Sequence, residues 1–460
     1  MASSVILSRS SFVLIILGVL GALFVNPSCS TSRRALDLHD HSLQMQSGFK
    51  VTLKHVDSGK NLTKLERLQR RIKRGRKRLQ RLNAMKLKSS TSPDSHTRVQ
   101  TPVHAGVGEF LMTLSIGTPA KSFSAIVDTG SDLIWTQCEP CKQCYKQPTP
   151  IFNPKKSSSF SKVSCTSDLC DALPSSKCSN QSCEYYYTYG DSSSTEGILA
   201  TETFSFGDVS IPKVSFGCGE DNEGGGFSQG AGLVGLGRGT LSLVSQLKEP
   251  KFSYCLTSVD DTQSTSTLLM GSVASLNSTT PSSEVANIKT TPLIKNPSQP
   301  TFYYLSLEGI TVGGTSLPIE KDTFALGDDG GGGLIIDSGT TLTYLAQDAY
   351  DAVVKEFSSQ MELPEKDAID TVGLDLCFEL PEDATKVEVP KLVFNFKGAD
   401  LELPSENYMI ADTDVGVICL AVGSAGDMSV FGNYQQQNML VLHDLVKETI
   451  SFVPTKCDQL

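Results

Sequence analysis

Two short phrases of one design stand far apart in this chain, and they constrain its fold more than any other feature. Ala125-Ile126-Val127-Asp128-Thr129-Gly130-Ser131 lies in the first half. Leu334-Ile335-Ile336-Asp337-Ser338-Gly339-Thr340 lies in the second, 209 positions on. Each is an apolar, β-branched run ending in Asp, a hydroxyl residue, Gly and a second hydroxyl residue. The recurrence predicts a duplicated lobe, with each copy delivering one carboxylate to a shared site. Two carboxylates held close together cannot both ionise easily, so they share a proton. Such a pair can act as acid and base on one water at low pH.

The duplication continues on both sides. Phe110-Leu111-Met112-Thr113-Leu114-Ser115-Ile116-Gly117 precedes the first phrase, and the alternating run Tyr304 to Gly313 precedes the second. An apolar-apolar-Gly element follows each, Leu233-Val234-Gly235 and Val430-Phe431-Gly432. Two copies at so long a period exclude a solenoid. From Glu109 onward, short alternating or apolar runs are separated by Gly, Pro, Asp and Ser, which predicts a β-dominated chain of two pseudo-symmetric lobes. Phe110 to Ile116, Thr203 to Phe206, Lys213 to Phe216 and Lys391 to Phe396 read as strands. Leu241 to Leu247 and Ala346 to Met361 read as helices. The polar stretch Ser272 to Ser283 reads as the crossing between lobes.

The start of the chain has a different character. Arg9 precedes an apolar stretch, Phe12 to Val25, with small residues after it, as in a secretory signal peptide. That run is shorter than the ~20 residues a spanning helix needs, so no membrane anchor is expected. Residues 31–100 carry 18 Lys and Arg against 5 Asp and Glu, whereas residues 101–460 carry 21 against 45, with Arg238 the one arginine. Leu62, Leu65, Leu68, Ile72, Leu79 and Leu82 recur near helical spacing among the basic residues, a basic amphipathic helix. Entry into the secretory route argues against nucleic acid as its partner. An acidic partner within the same chain suits it better, which makes this segment a removable mask. Maturation is expected between Leu87 and Thr101. The boundaries so read are 1–28 signal peptide, 29–93 basic prosegment, 94–275 N-terminal lobe with a cysteine-rich insert at 136–184, and 276–460 C-terminal lobe.

Thirteen cysteines are present. Cys29 lies at the signal cleavage site, and the other twelve, in a secreted context, predict disulfides whose connectivity the sequence alone leaves open. The cluster Cys138, Cys141, Cys144, Cys165, Cys170, Cys178 and Cys183 is odd in number, so at least one member pairs outside it. Histidines are missing nearby, so zinc is not expected, and no other metal or cofactor is implied. Gly226-Phe227-Ser228-Gln229-Gly230 fits the pattern of a serine-hydrolase elbow but follows a glycine- and acid-rich loop, not a strand. Asn180 and Asn277 begin glycosylation sequons.

The double Asp-(Thr/Ser)-Gly-(Ser/Thr) pattern with its two apolar-apolar-Gly partners resembles the pepsin-like aspartic endopeptidases over residues 109 to 454. The cysteine-rich insert, and the run Arg78 to Met85, resemble the plant nepenthesin type. The resemblance implies a bilobal all-β acid-protease fold with few short helices. It implies Asp128 and Asp337 as the catalytic pair, with Thr129 and Ser338 tying the two loops together. Ser131 and Thr340 would orient the carboxylates, with Gly130 and Gly339 allowing close approach. It further implies a flap, Tyr185 to Asp191, in which Tyr189 before Gly190 bonds to Trp135. The alternative for these rings is ordinary core packing. The disulfides it implies are Cys138–Cys141, Cys144–Cys218, Cys165–Cys183, Cys170–Cys178, Cys255–Cys457 and Cys377–Cys419. The function so implied is hydrolysis of polypeptide substrates in acid by a secreted, extracellular monomer, with the vacuole as the other destination. It would be made as a zymogen inhibited by its own prosegment. The competing reading is a catalytically silent binding or inhibitor protein on the same scaffold.

Overall fold

The computed structural model describes residues 48–89, 103–104, 109–189, 193–224, 227–258, 260–276, 288–381, 385–426 and 428–460. The signal peptide, Cys29, Gly190, Asn277 and most of the expected maturation stretch lie outside them.

Strands dominate, and the two halves repeat one plan. Phe110–Ile116 buries alternate residues, the period-2 pattern of a half-buried strand, and pairs antiparallel with Lys121–Asp128. Lys121–Asp128 pairs parallel on its other side with Gly232–Gly235, so that Val234 faces Val127 and Gly235 faces Asp128. In the second half, Tyr303–Leu305 pairs antiparallel with Leu334–Ile336, which pairs parallel with Ser429–Phe431. Each strand that ends at an Asp is thus flanked on both sides and wholly apolar near that end, as central strands are. Gly235 and Gly432 take equivalent places. A Cβ on Gly235 would lie 2.3 Å from Asp132 O, and one on Gly432 would lie 2.1 Å from Leu342 O.

Six antiparallel strands of the large sheet join the lobes, in the order Gly48–His55, Ser266–Gly271, Lys251–Cys255, Met439–Asp444, Thr449–Pro454 and Lys289–Ile294. Its first strand comes from the basic N-terminal segment, where only a helix is legible in the sequence. Phe49, Val51 and Leu53 point inward, with Lys50, Thr52 and Lys54 outward. Phe49 stacks on Phe206 with centroids 4.1 Å apart.

The basic helix spans Lys64–Ser89. A reciprocal capping box starts it: Thr63 N–H donates to Glu66 Oε2 (2.9 Å) and Glu66 N–H to Thr63 Oγ1 (3.1 Å). Leu68, Ile72, Leu79 and Leu82 bury against Phe302, Tyr304, Leu342, Tyr344 and Tyr434 of the second half. The later helix spans Gln347–Gln360, burying Ala349, Tyr350, Val353 and Phe357. Leu241 to Leu247 forms no helix. Its apolar residues are buried, but it runs as turns, with Leu243 N–H on Gly235 O (2.9 Å) and the Gln246 side-chain amide on both backbone groups of Ser215.

Four implied disulfides are replaced. Trp135–Gln137 runs parallel to Val209–Glu223, and Cys138 N–H bonds Gly219 O (2.8 Å). That register sets Cys138 and Cys218 5.3 Å apart at Cα, bonded to each other, and leaves Cys141 to pair with Cys144. The expected Cys138–Cys141 and Cys144–Cys218 bonds are therefore absent. In the insert, Cys170 and Cys183 are both buried in the cluster around Trp135 and Tyr185, and they bond. Cys165 and Cys178 lie nearer the surface and bond in turn, which replaces Cys165–Cys183 and Cys170–Cys178. The remaining bonds are Cys255–Cys457 and Cys377–Cys419, the pairs the resemblance implies. Asn180 sits exposed in the hairpin turn between Ser176–Ser179 and Ser182–Tyr189, at positive φ as such turns require.

His443 lies at the centre of the joining sheet, stacked on Phe252 (4.3 Å) and edge-on to Tyr303 (4.7 Å), with no hydrogen bond of normal geometry at either ring nitrogen. Burial pushes it from 6.5 down to about 3. Its folded-state value is depressed, so the stability it permits is complete above pH 6.5 and is lost progressively as pH falls toward 3. The loss by pH 4 is on the order of 3 kcal/mol. His443→Phe should keep the stack and flatten that loss. Thermal midpoints from pH 7 to 3 check it, and parallel curves for the two proteins would contradict it.

Candidate active site

Asp128 ends its central strand and Asp337 directly follows Leu334–Ile336; from there the chain turns into the two Asp-hydroxyl-Gly loops, which meet between the lobes. Both are almost wholly buried. Thr129 Oγ1 donates across to Asp337 Oδ1 (2.9 Å), accepts from Ser338 N–H (3.2 Å) and lies 3.3 Å from Ser338 Oγ. Within each loop the pattern repeats. Gly130 N–H reaches Asp128 Oδ1 (3.1 Å), and Gly339 N–H reaches Asp337 Oδ1 (3.2 Å). Ser131 Oγ donates to Asp128 Oδ2 (2.6 Å), and Thr340 Oγ1 to Asp337 Oδ2 (2.5 Å). Each carboxylate is thereby held at both oxygens by donors of its own loop.

One cation bridges the pair. The guanidinium of Arg78, on the Lys64–Ser89 helix, places Nη2 2.5 Å from Asp128 Oδ1 and 2.8 Å from Asp337 Oδ1, with Nε 2.5 Å from Asp337 Oδ2. It lies flat over Gly339, where a Cβ would come within 2.4 Å of its Cζ. Burial alone would push the Asp337 carboxyl up. The charge and hydrogen bonds of Arg78 outweigh that and hold it below its ordinary range. Burial likewise opposes the charge on Arg78, but the two carboxylates raise its pKa overall.

A second ionic cluster lies along the same helix. Arg71, Arg74 and Arg78 share one face at spacings of three and four. Glu109, buried just before Phe110–Ile116, sits 3.3 Å from both Arg71 Nη2 and Arg74 Nε, and 3.7 Å from His55 Nε2. Thr341 Oγ1 (2.7 Å) and Asn433 Nδ2 (3.0 Å) also donate to it, and Asn433 Nδ2 reaches Ser338 O as well (2.9 Å). Arg74 continues to Asp57 (2.7 Å). Burial raises the Glu109 carboxyl, but Arg71, His55 and Arg74 bring it well below its usual value. Burial lowers His55, against the opposing pull of Glu109. Neither Arg78 nor Glu109 stands out in the sequence by type. The available signal was the periodic arginine stripe beside the apolar stripe of the helix.

Trp135 Nε1 donates to Tyr189 OH (2.7 Å), and both rings pack edge-on against Phe227 at 4.9 Å. Phe227, the second residue of the elbow-like G-x-S-x-G phrase, is thus a core ring under the hairpin. Among the described residues no cluster of His, Cys, Asp and Glu could hold a metal.

Residues 110–272 match the family model described as Xylanase inhibitor N-terminal, and residues 302–454 match Xylanase inhibitor C-terminal. Aspartic proteinase nepenthesin-1 of Nepenthes gracilis is 54% identical over 437 residues, 95% of this chain and 96% of that protein. Nepenthesin-2 of the same plant is 53% identical over 94% of this chain and 95% of its own length. The crystal structure of edgp aligns with a TM-score of 0.62 at 19% identity, covering 89% of this chain and 95% of that one. Basic 7S globulin from soybean aligns with a TM-score of 0.59 at 20% identity, covering 75% and 93%. At those identities the two structures speak for the fold alone. The chain belongs to the pepsin-like aspartic endopeptidases and, within them, to the plant nepenthesin type.

Thr129 ties its own loop directly to the other one. Thr129→Val would strip a bond from Asp337 and orphan the buried Ser338 N–H, a cost of about 1–3 kcal/mol. Thr129→Ser should restore most of it. Denaturant midpoints of the two variants check this, and equal stability of Thr129→Val and wild type would contradict it.

Proposed function

We propose that this protein is a secreted endopeptidase made as a zymogen, which hydrolyses peptide bonds of proteins in acid through one water activated by Asp128 and Asp337. The observation that carries the reading is the single guanidinium bridging both carboxylates: groups close enough to share one cation are close enough to share one water and one proton. The ionised Asp takes a proton as the water attacks the peptide carbonyl. The protonated Asp hydrogen-bonds the developing oxyanion, and the amine leaves after protonation. The two titrations belong to the pair. Ser131, Thr340 and the two glycine amides keep the carboxylates aligned, while Tyr189, fixed by Trp135, would close over the substrate.

The segment carrying Gly48–His55 and Lys64–Ser89 is read as the inhibitory prosegment, with Arg78 seated where the water and substrate would lie. Acid releases it. Asp337 and Glu109 have depressed values in the docked state, so the docking they support is complete above the ordinary carboxylate range and fails as pH falls through their lowered values. His55 is depressed too, so docking forfeits its contribution as pH falls below 6.5. All three groups act in the same direction. The mature enzyme is read as an extracellular, or else vacuolar, monomer that could carry a glycan on Asn180. Among the described residues no helix is long and apolar enough to cross a membrane.

The matching family models bear an inhibitor's description, which favours a silent binding protein as the second reading. The two readings part on activity. In acid the wild-type proform should mature and digest denatured protein, whereas Asp128→Ala should lose more than about a thousand-fold. Equal digestion by the two would refute the dyad. Arg78→Ala should let the unprocessed protein bind a pepstatin-type inhibitor at neutral pH, where the wild-type proform does not. Titration of the inhibitor against both checks it.

A further inference from the structure

The aspartate one step past the catalytic loop, Asp132, has no part in the proton-sharing pair. Its Oδ1 accepts from Gly239 N–H (2.8 Å) and its Oδ2 from Thr301 Oγ1 (2.7 Å). Gly237 and Gly239 make room for it, since a Cβ on either would lie within 2.4 Å of its oxygens. Thr301 leads into Tyr303–Leu305, whose Tyr303 is in register with Ile336, the neighbour of Asp337. Thr301 O also accepts from Arg238 N–H (3.0 Å). Tyr303 OH donates to Leu236 O (2.5 Å), and Leu236 N–H to Asp128 O (2.8 Å). A short bonded path therefore runs from the Asp128 loop through the Asp132 carboxylate to the strand beside Asp337.

We propose that Asp132 is a positioning residue for the reaction: with Thr301 it clamps the base of the first catalytic loop to the second lobe and so fixes the spacing and tilt of the two catalytic carboxylates. The inference rests on the endopeptidase reading above. The contact through Thr129 ties the loops at their tips. The Asp132–Thr301 bond belongs to a second tie at the base, beside the Arg238–Thr301 and Tyr303–Leu236 bonds, and it is the one of these made by a side chain that directly follows the catalytic loop.

The clamp is built to survive acid, unlike the ion pairs that seat the helix. Among the described residues no cation pairs with Asp132, because the Arg238 side chain turns to Ile294 O and Glu448. The other titratable groups facing it are Asp128 on its own loop, Tyr187 and Tyr303. Burial pushes its carboxyl up, against the pull of the Thr301 and Gly239 bonds, and Asp128 adds to the rise. When it takes a proton, Oδ1 still accepts from Gly239, and Oδ2–H donates to Thr301 Oγ1 in place of accepting. Asn in the same place reproduces that arrangement.

The test uses full-length proforms matured in acid, with kcat and KM on one peptide across pH. Asp132→Ala should lower kcat by about 10- to 100-fold, the range expected for a misplacement near 1 Å, with KM within about twofold. Carboxylates that drift apart share a proton less strongly, so the two limbs of the pH profile should also move together. Asp132→Asn should recover most of the loss. Thr301→Val should act in the same direction, and Asp132→Ala/Thr301→Val should lose no more than Asp132→Ala. If Asp132→Ala does not mature, Thr301→Val, which deletes one bond from the far side, decides alone. Unchanged kcat, multiplied losses in the double variant, or a fall in kcat with unmoved pH limbs would overturn the proposal. A wild-type protein without acid peptidase activity would sink the functional reading and this inference with it. Normal wild-type activity beside an indifferent variant sinks this inference alone.

Discussion

Two buried carboxylates placed within reach of one guanidinium are the constraint around which this molecule is organised. Negative groups so close repel, and in a dry site that repulsion is strong. The structure answers it with directed hydrogen bonds. Every oxygen of Asp128 and Asp337 receives a loop donor, and Thr129 crosses between the lobes to Asp337 and Ser338. Arg78 then supplies the charge that the pair lacks. The central strands, their parallel partners and the joining sheet can all be understood as the scaffold that keeps those two loop tips facing each other.

The same constraint explains how the basic segment is held. Its strand extends the joining sheet at Ser266–Gly271, its apolar stripe covers rings of the second half, and its arginine stripe meets Glu109 and the Asp pair. The strand's backbone pairing and the apolar stripe are insensitive to pH, whereas the ionic contacts, His55 included, are not. On the reading proposed above, acid would act first on the ionic contacts beside the Asp pair. His443 adds an opposing consideration, since a neutral imidazole stacked in the joining sheet sets a lower limit to the pH that the fold tolerates.

Much of this architecture is legible in the amino-acid sequence. The apolar strands that end in Asp, their Gly-ended partners and the amphipathic helix are short-range patterns with fixed periods, and they appear where those periods place them. The strand Gly48–His55 carried the same alternation but was masked by the charge around it. Leu241 to Leu247 looks helical from its apolar spacing, yet Leu243 N–H is drawn to Gly235 O and the Gln246 side chain to Ser215, both outside the segment. Disulfide connectivity failed for a related reason. Cys138 could be matched to Cys218 only through the register of two strands 80 residues apart, and the insert's other pairs were sorted by burial.

By itself the sequence determined which residues could do chemistry and which local elements would carry them. Identity, periodicity and duplication are read along the chain itself and need no fold to be seen. The tertiary structure alone decided which of many arginines reaches the Asp pair, which glutamate anchors the others and how a third aspartate comes to lie against Thr301. It also decided which cysteines bond. Each of those is a meeting of groups separated by tens to hundreds of residues, and such meetings depend on the register of strands and the packing of lobes, which no local pattern encodes.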